Sequence, residues 1–248
     1  SSSAVDDSGI GRSVAMGDLD GDGDLEIYVA NRGSASRLYR NDGNFVFSEV
    51  GSASGVDDSG IGLGAVMGDL DGDGDLDIYL TKHDGQNKLY RNNGGLMFAE
   101  VGSASGVDDS CIGRGAVMGD FDGDGDLDIY LNNWGSANKL YRNDGNFVFV
   151  EIGNDVGVDD SGDGWGVTMG DLDGDGDLDI YLNNDGQNNR LYRNDGASLD
   201  WLAVRPLDCA GHQTLHGASV RLLEAGASTA VALRTIDGGS GYGSQSAY

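Results

Sequence analysis

Proline occurs once in the 248-residue chain, at Pro206, and cysteine twice, at Cys111 and Cys209. Two distant thiols exclude a disulfide framework and a Cys-x-x-Cys metal site, and leave the redox compartment open. Basic side chains are also scarce: 15 Lys and Arg face 42 Asp and Glu, for a formal net charge of −27. Such a polyanion is not expected to seek nucleic acid or an anionic membrane. No apolar run approaches the ~18 residues that a membrane helix needs, so no membrane insertion is expected. The opening Ser1-Ser2-Ser3 is neither an initiator methionine nor a basic and apolar leader, which points to a processed or partial chain. No Asn-x-Ser/Thr sequon is present, so N-glycosylation through that signal is not expected. What the chain has in excess is glycine, 44 residues, beside a 38 % hydrophobic content. That is enough for a core in one or two modest domains rich in tight turns.

An internal repeat organises most of the sequence. Gly-Asp-Leu-Asp-Gly-Asp-Gly-Asp-Leu starts at Gly17, Gly68 and Gly170, and Gly119 opens the same segment with Phe121 for leucine, a period of 51 residues without a slip. Glycine and aspartate dominate and the apolar runs are short, which disfavours paired helices and suits propeller blades. In the second repeat, strands are expected at 64–68, 77–81, 88–91 and 96–101, with Asn-Asp-Gly of other repeats marking the last hairpin. Tyr28, Tyr79, Tyr130 and Tyr181, and Tyr39, Tyr90, Tyr141 and Tyr192, recur at two repeat positions and are expected to pack between sheets. The reading is therefore all-β: a propeller-like array of four four-stranded blades at about 1–51, 52–102, 103–153 and 154–197, the last incomplete. A small β domain should occupy 198–248, where the acidic motif disappears and Ser219–Leu223 and Thr229–Leu233 alternate in polarity.

Each repeat places carboxylates at positions 1, 3, 5, 7 and 9 of a loop: Asp18, Asp20, Asp22, Asp24 and Glu26; Asp69, Asp71, Asp73, Asp75 and Asp77; Asp120, Asp122, Asp124, Asp126 and Asp128; Asp171, Asp173, Asp175, Asp177 and Asp179. Five carboxylates within nine residues repel one another unless a cation neutralises them. An all-oxygen set converging in a tight turn suits Ca2+, about one ion per repeat, better than Mg2+, zinc or copper. Gly23, Gly74, Gly125 and Gly176 at position 6 allow the sharp turn, and the residue at 7 would ordinarily offer its backbone carbonyl. Position 12 is Val29, Leu80, Leu131 or Leu182 inside a β-prone run, against the bidentate Glu and flanking helix of an EF-hand. The expected role is structural, with metal-binding energy acting as folding energy. The recurrent Val-Asp-Asp-Ser at Val5, Val56, Val107 and Val158 reads as a polar inter-blade loop with Asx turns, or as a source of one more ligand.

The run Gly-Asp-Leu-Asp-Gly-Asp-Gly-Asp-Leu-Asp-Ile-Tyr-Leu resembles the FG-GAP/VCBS repeat of integrin α-chain propellers and secreted bacterial proteins. The full unit, with Gly-Val-Asp-Asp-Ser-Gly and Asn-Lys-Leu-Tyr-Arg-Asn-Asp-Gly, is most similar to the cartilage acidic protein group. Trp201–Arg205, Gly217–Arg221 and Gly238–Ser246 resemble the ASPIC/UnbV domain that follows such repeats. The resemblance implies a calcium-bound propeller, extracellular or on the cell envelope, used for adhesion or scaffolding. It also implies first-position ligands at Asp18, Asp69, Asp120 and Asp171 and ninth-position ligands at Glu26, Asp77, Asp128 and Asp179. Two departures stand out: the family commonly has more repeats, and its ASPIC/UnbV domain continues past the point where this chain stops.

Function is expected to be non-enzymatic, a calcium-stabilised structural or adhesion protein partnered by itself or by another extracellular protein. The open edge of the incomplete fourth repeat suggests a homo-oligomer, even a fibril, through strand completion. A lectin-like module is the alternative, using variable loops such as 31–34, 83–86, 133–136 and 184–187, with Trp134 as a possible glycan contact. An enzyme with a site in the C-terminal domain is the third class; His212 and His216, four apart in a glycine-flanked loop, are its candidates, and no nucleophile motif or P-loop accompanies them.

Overall fold

The computed structural model describes residues 5, 7–196, 219–223 and 230–235. The chain begins with a sheet of β1 (Ile10–Gly17), β2 (Glu26–Arg32), β3 (Arg37–Asn41) and β4 (Phe47–Glu49), followed by one helical turn, α1 (Gly51–Ser54). The pattern repeats as β5 (Gly62–Gly68), β6 (Asp77–Lys82), β7 (Lys88–Asn92), β8 (Phe98–Glu100) and α2 (Gly102–Ser105). It repeats again as β9 (Ile112–Gly119), β10 (Asp128–Trp134), β11 (Lys139–Asn143), β12 (Phe149–Glu151) and α3 (Gly153–Val156). The fourth sheet has three described strands, β13 (Gly164–Gly170), β14 (Asp179–Asn184) and β15 (Arg190–Tyr192). Within every sheet the strands run antiparallel in chain order. A separate hairpin joins β16 (Ser219–Leu223) to β17 (Ala230–Thr235), over the two alternating stretches. The all-β, propeller-like array of four sheets is thus observed, the last with three strands among the described residues.

The first strands β1, β5, β9 and β13 lie side by side in succession, so the sheets fan outward from that line and β4, β8 and β12 form the rims. Close approach explains the glycine that ends the first strand of each of the first three blades. A β-carbon on Gly17 would stand 2.7 Å from Leu76 Cδ1, and one on Gly68 2.8 Å from Met118 Sδ, both in the next blade.

The core lies between blades. Leu19, Tyr28 and Leu38 of the first blade pack with Val56, Met67, Ile78 and Tyr90 of the second, and the same positions recur at the next two interfaces. Tyr28, Tyr79 and Tyr130, and Tyr90, Tyr141 and Tyr192, are therefore framework, as expected, whereas Tyr181 of the fourth blade is 40% exposed. Tyr28, Tyr79 and Tyr130 also donate their hydroxyls across the interface, to the carbonyls of Val56 (3.0 Å), Val107 (2.7 Å) and Val158 (2.6 Å). The helical turns were not expected: four residues leave no periodicity to read, and each ends on a left-handed glycine such as Gly55 (φ 81°).

Tyr79→Phe should cost about 1–3 kcal/mol, because it orphans the buried Val107 carbonyl and the Asn87 amide that donates to the Tyr79 hydroxyl. Urea unfolding in the presence of Ca2+ measures this, and Tyr181→Phe, on the exposed face of the fourth blade, should shift the midpoint far less.

Candidate metal centres

Every acidic loop is the turn between the first two strands of a blade. Its fold follows from side chains capping their own backbone. Asp18 accepts from the N–H of Gly21 (2.8 Å) and Gly23 (3.0 Å), and Asp171 likewise from Gly174 (2.7 Å) and Gly176 (3.2 Å). The third position caps the fifth and the fifth caps the seventh, as in Asp73 N–H to Asp71 (3.3 Å) and Asp75 N–H to Asp73 (2.9 Å). Position 6 takes a left-handed φ of 93°, 98°, 105° and 98° at Gly23, Gly74, Gly125 and Gly176, as the sequence led one to expect.

The ninth carboxylate is buried and bolts the loop to the blade. Asp77 accepts from the N–H of Leu70 (3.0 Å) inside the loop and of Asn92 (2.9 Å) at the end of the third strand. Glu26, Asp128 and Asp179 hold the equivalent pairs. Burial outweighs these bonds, pushing Glu26 and Asp128 up to about 7 and Asp77 up to about 8; burial likewise lifts Asp69 to about 6.

Carboxylate oxygens converge within 4.8 Å of one another in each loop: Asp18, Asp20 and Asp22; Asp69, Asp71 and Asp77; Asp120, Asp122 and Asp128; Asp171, Asp173 and Asp179. Positions 1, 3 and 9 thus meet in three loops. In the first, Glu26, the one departure from Asp, stays outside the triad and Asp22 stands in. Among the seventh-position residues, Asp75 and Asp126 point toward the turn between the third and fourth strands, 3.4 and 3.3 Å from where a β-carbon on Gly94 or Gly145 would stand. Asp24 and Asp177 face the same turn. Each triad could hold a metal ion, and the donors fit a hard one: all are oxygen, and Asp69 Oδ1 is buried without a hydrogen-bond partner.

These loops match known proteins. The FG-GAP-like repeat family matches at residues 18–80, 69–131 and 120–182, each stretch running from one acidic loop into the strand after the next. The chain belongs to the FG-GAP-like repeat family. Cartilage acidic protein 1 of Mus musculus is 32% identical over 94% of this chain, and that of Homo sapiens 31%. The chain spans 38% of the length of the mouse protein and 37% of the human one. Among solved structures, the V. cholerae biofilm matrix protein Bap1 superposes at a TM-score of 0.41 with 21% identity, covering 68% of this chain and 23% of Bap1.

The remaining candidates of this FG-GAP-like chain fall into framework roles. In Val-Asp-Asp-Ser the second aspartate forms the Asx turn, Gly60 N–H to Asp58 (2.9 Å), and also binds the second strand: Asp58 pairs with Lys82 Nζ (2.8 Å), and Asp109 accepts from Asn133 Nδ2 (2.8 Å). Trp134 has Arg114 over its ring at 4.4 Å, and the same guanidinium lies 4.6 Å from Trp165. Pro206, Cys209, His212 and His216, and all of the ASPIC/UnbV likeness but the two strands β16 and β17, lie outside the described residues. One element was missed. Asn41, Asn92, Asn143 and Asn194, identical in all four repeats, bond the ninth carboxylate through their N–H, and the side-chain amides of the last three reach the neighbouring blade, as Asn92 Nδ2 does to the Leu19 carbonyl (2.8 Å). Their identity at one repeat position was the available signal.

Two outcomes follow from this geometry. Folding of the metal-free chain holds protons on Glu26, Asp77 and Asp128 that the unfolded chain releases in the ordinary carboxylate range near ~4. That stabilisation is complete below the unfolded value and is lost as pH rises through about 7 to 8. The melting temperature in EGTA should therefore fall between pH 5 and pH 8, and excess Ca2+, which requires the charged form, should remove the fall. By titration calorimetry, Asp71→Asn should delete one of the four sites, whereas Asp75→Asn, whose side chain faces away from the triad, should leave the stoichiometry intact.

Proposed function

We propose that this chain is a calcium-stabilised extracellular or envelope-surface structural and adhesion protein, without catalytic activity, acting through contacts with other proteins and with copies of itself. The carrying observation is that the acidic loops are built into the frame: each triad is tied by a buried ninth carboxylate or its neighbours to the third strand of its blade. About four Ca2+ ions, one per loop, would bring the charge of −27 to about −19. Positions 1, 3 and 9 are the proposed side-chain ligands in the last three loops, with position 5 serving in the first and position 7 contributing backbone.

Several observations support a scaffold over a catalyst or a lectin. The carboxylates raised furthest by burial, Glu26, Asp69, Asp77 and Asp128, are committed to backbone N–H groups. The ring of Trp134, the glycan candidate, is already stacked on Arg114. The name of cartilage acidic protein 1 agrees with an extracellular setting. The ASPIC/UnbV assignment of 198–248 stands as part of this proposal.

Excess EGTA at neutral pH should lower the melting temperature substantially and change the particle size seen by light scattering. A melt and a size both indifferent to Ca2+ would overturn the structural assignment, and a turnover lost on His216→Ala would replace it with an enzyme.

A further inference from the structure

One arginine stands beside every acidic loop. Arg40, Arg91, Arg142 and Arg193 occupy the same place in the four repeats, in Leu-Tyr-Arg-Asn, one residue before the asparagine whose N–H bonds the ninth carboxylate. Each guanidinium lies between two groups. On one side is the residue that opens the turn after the third strand: Asp42, Asp144 and Asp195 in three blades, but Asn93 in the second. On the other is the third loop position, Asp20, Asp71, Asp122 or Asp173, which belongs to every triad.

The contacts show how the arginine is shared. Nε of Arg40 and of Arg142 donates to Asp42 and Asp144, each at 2.8 Å. Arg193 holds Asp195 through Nη2 while its Nη1 reaches Asp173 (3.7 Å), so the side chain is long enough to span both groups. The charges of Arg40, Arg91 and Arg142 likewise reach Asp20, Asp71 and Asp122, offsetting part of the rise that burial gives those carboxylates. In the second blade Arg91 Nε donates to Asn93 Oδ1 (2.9 Å), whose amide carries no charge. A guanidinium paired with a carboxylate is neutral as a unit, whereas one paired with an amide keeps its full charge beside the triad.

We infer that the residue after the conserved-position asparagine of each repeat sets how strongly the arginine opposes an ion in the loop: Asp42, Asp144 and Asp195 neutralise it, Asn93 does not, and the second loop therefore binds Ca2+ more weakly than the third. The third loop is the fair comparison, because its triad is drawn from the same positions 1, 3 and 9. This deepens the calcium reading proposed above and rests on it. As Ca2+ falls, the link from Leu70 to Asn143, between the second and third blades, loses its ion before the link from Phe121 to Asn194.

Loop-resolved titration tests it. In a chain carrying isotope-labelled glycine, the amides of Gly74 and Gly125, each bonded to the first carboxylate of its loop, report the two loops separately by NMR as Ca2+ is raised in a chelator buffer. Gly125 should reach its midpoint at lower Ca2+ than Gly74. Asn93→Asp should lower the Gly74 midpoint and Asp144→Asn should raise that of Gly125, each by roughly two- to fivefold, the reach of an exposed charge pair, and less at high salt. Both positions are exposed, so the fold is not at stake. Arg142→Gln should lower the Gly125 midpoint, and Asp144→Asn added to it should change little, because no guanidinium is left to neutralise. An Asp144→Asn effect that persists in full without Arg142 means that the aspartate acts on the ion by its own charge, and overturns the inference. So do equal midpoints for the two loops, or a Gly74 midpoint indifferent to Asn93→Asp. Amides that do not respond to Ca2+ in any loop overturn the calcium reading itself, and the inference with it.

Discussion

The ninth loop carboxylate is the contact on which the rest of the molecule depends. A buried carboxylate accepting two backbone N–H bonds costs desolvation, visible in the raised proton affinity of Glu26, Asp77 and Asp128. In return one group fixes two remote segments, the start of the loop and the end of the third strand. The same loop residue then passes the connection on. Leu70 donates its N–H to Asp77, and its carbonyl accepts from Asn143, whose own N–H returns to Asp128. Phe121 and Asn194 repeat the step to Asp179. A single alternation of carboxylate, peptide and side-chain amide thus runs through all four blades, and buried networks of this kind are strong only when every member is satisfied.

That relay explains why an acidic loop, a liability in isolation, can be repeated four times. The odd positions cap successive N–H groups, so the loop keeps its shape before any ion is considered, while negative charge accumulates at one centre. Hydrogen bonding settles the backbone, and only a cation settles the charge. Stability of the array and occupancy of its loops are then one equilibrium. The sparse basic side chains fit this division, since a lysine near the triads would neutralise them without ordering them; Lys82 pairs instead with Asp58 on the far side of its strand.

Much of this was legible because period and chemistry coincide. A 51-residue repeat with a five-carboxylate loop announces both the blade and the candidate metal site, and alternation located strands within two or three residues of their observed ends. What escaped depends on neighbours that are not adjacent in sequence. Asn92 looks like an ordinary turn residue until Leu19, 73 positions earlier, is placed beside it. The separation of Asp71 from Asp75 is equally hidden, because alternation within a tight loop does not say which carboxylates face its centre. Glu26 shows the limit from the other side. One added methylene preserves both backbone bonds, yet the triad of the first loop draws on Asp22 instead.

An array built from one interface has no intrinsic reason to stop. Each blade satisfies the forward face of its predecessor and creates an identical demand of its own, so the demand is displaced along the chain and never removed. The acidic loops bear on this directly: by tying each blade to its neighbour through the relay, they hold the sheets at the spacing that every internal interface repeats.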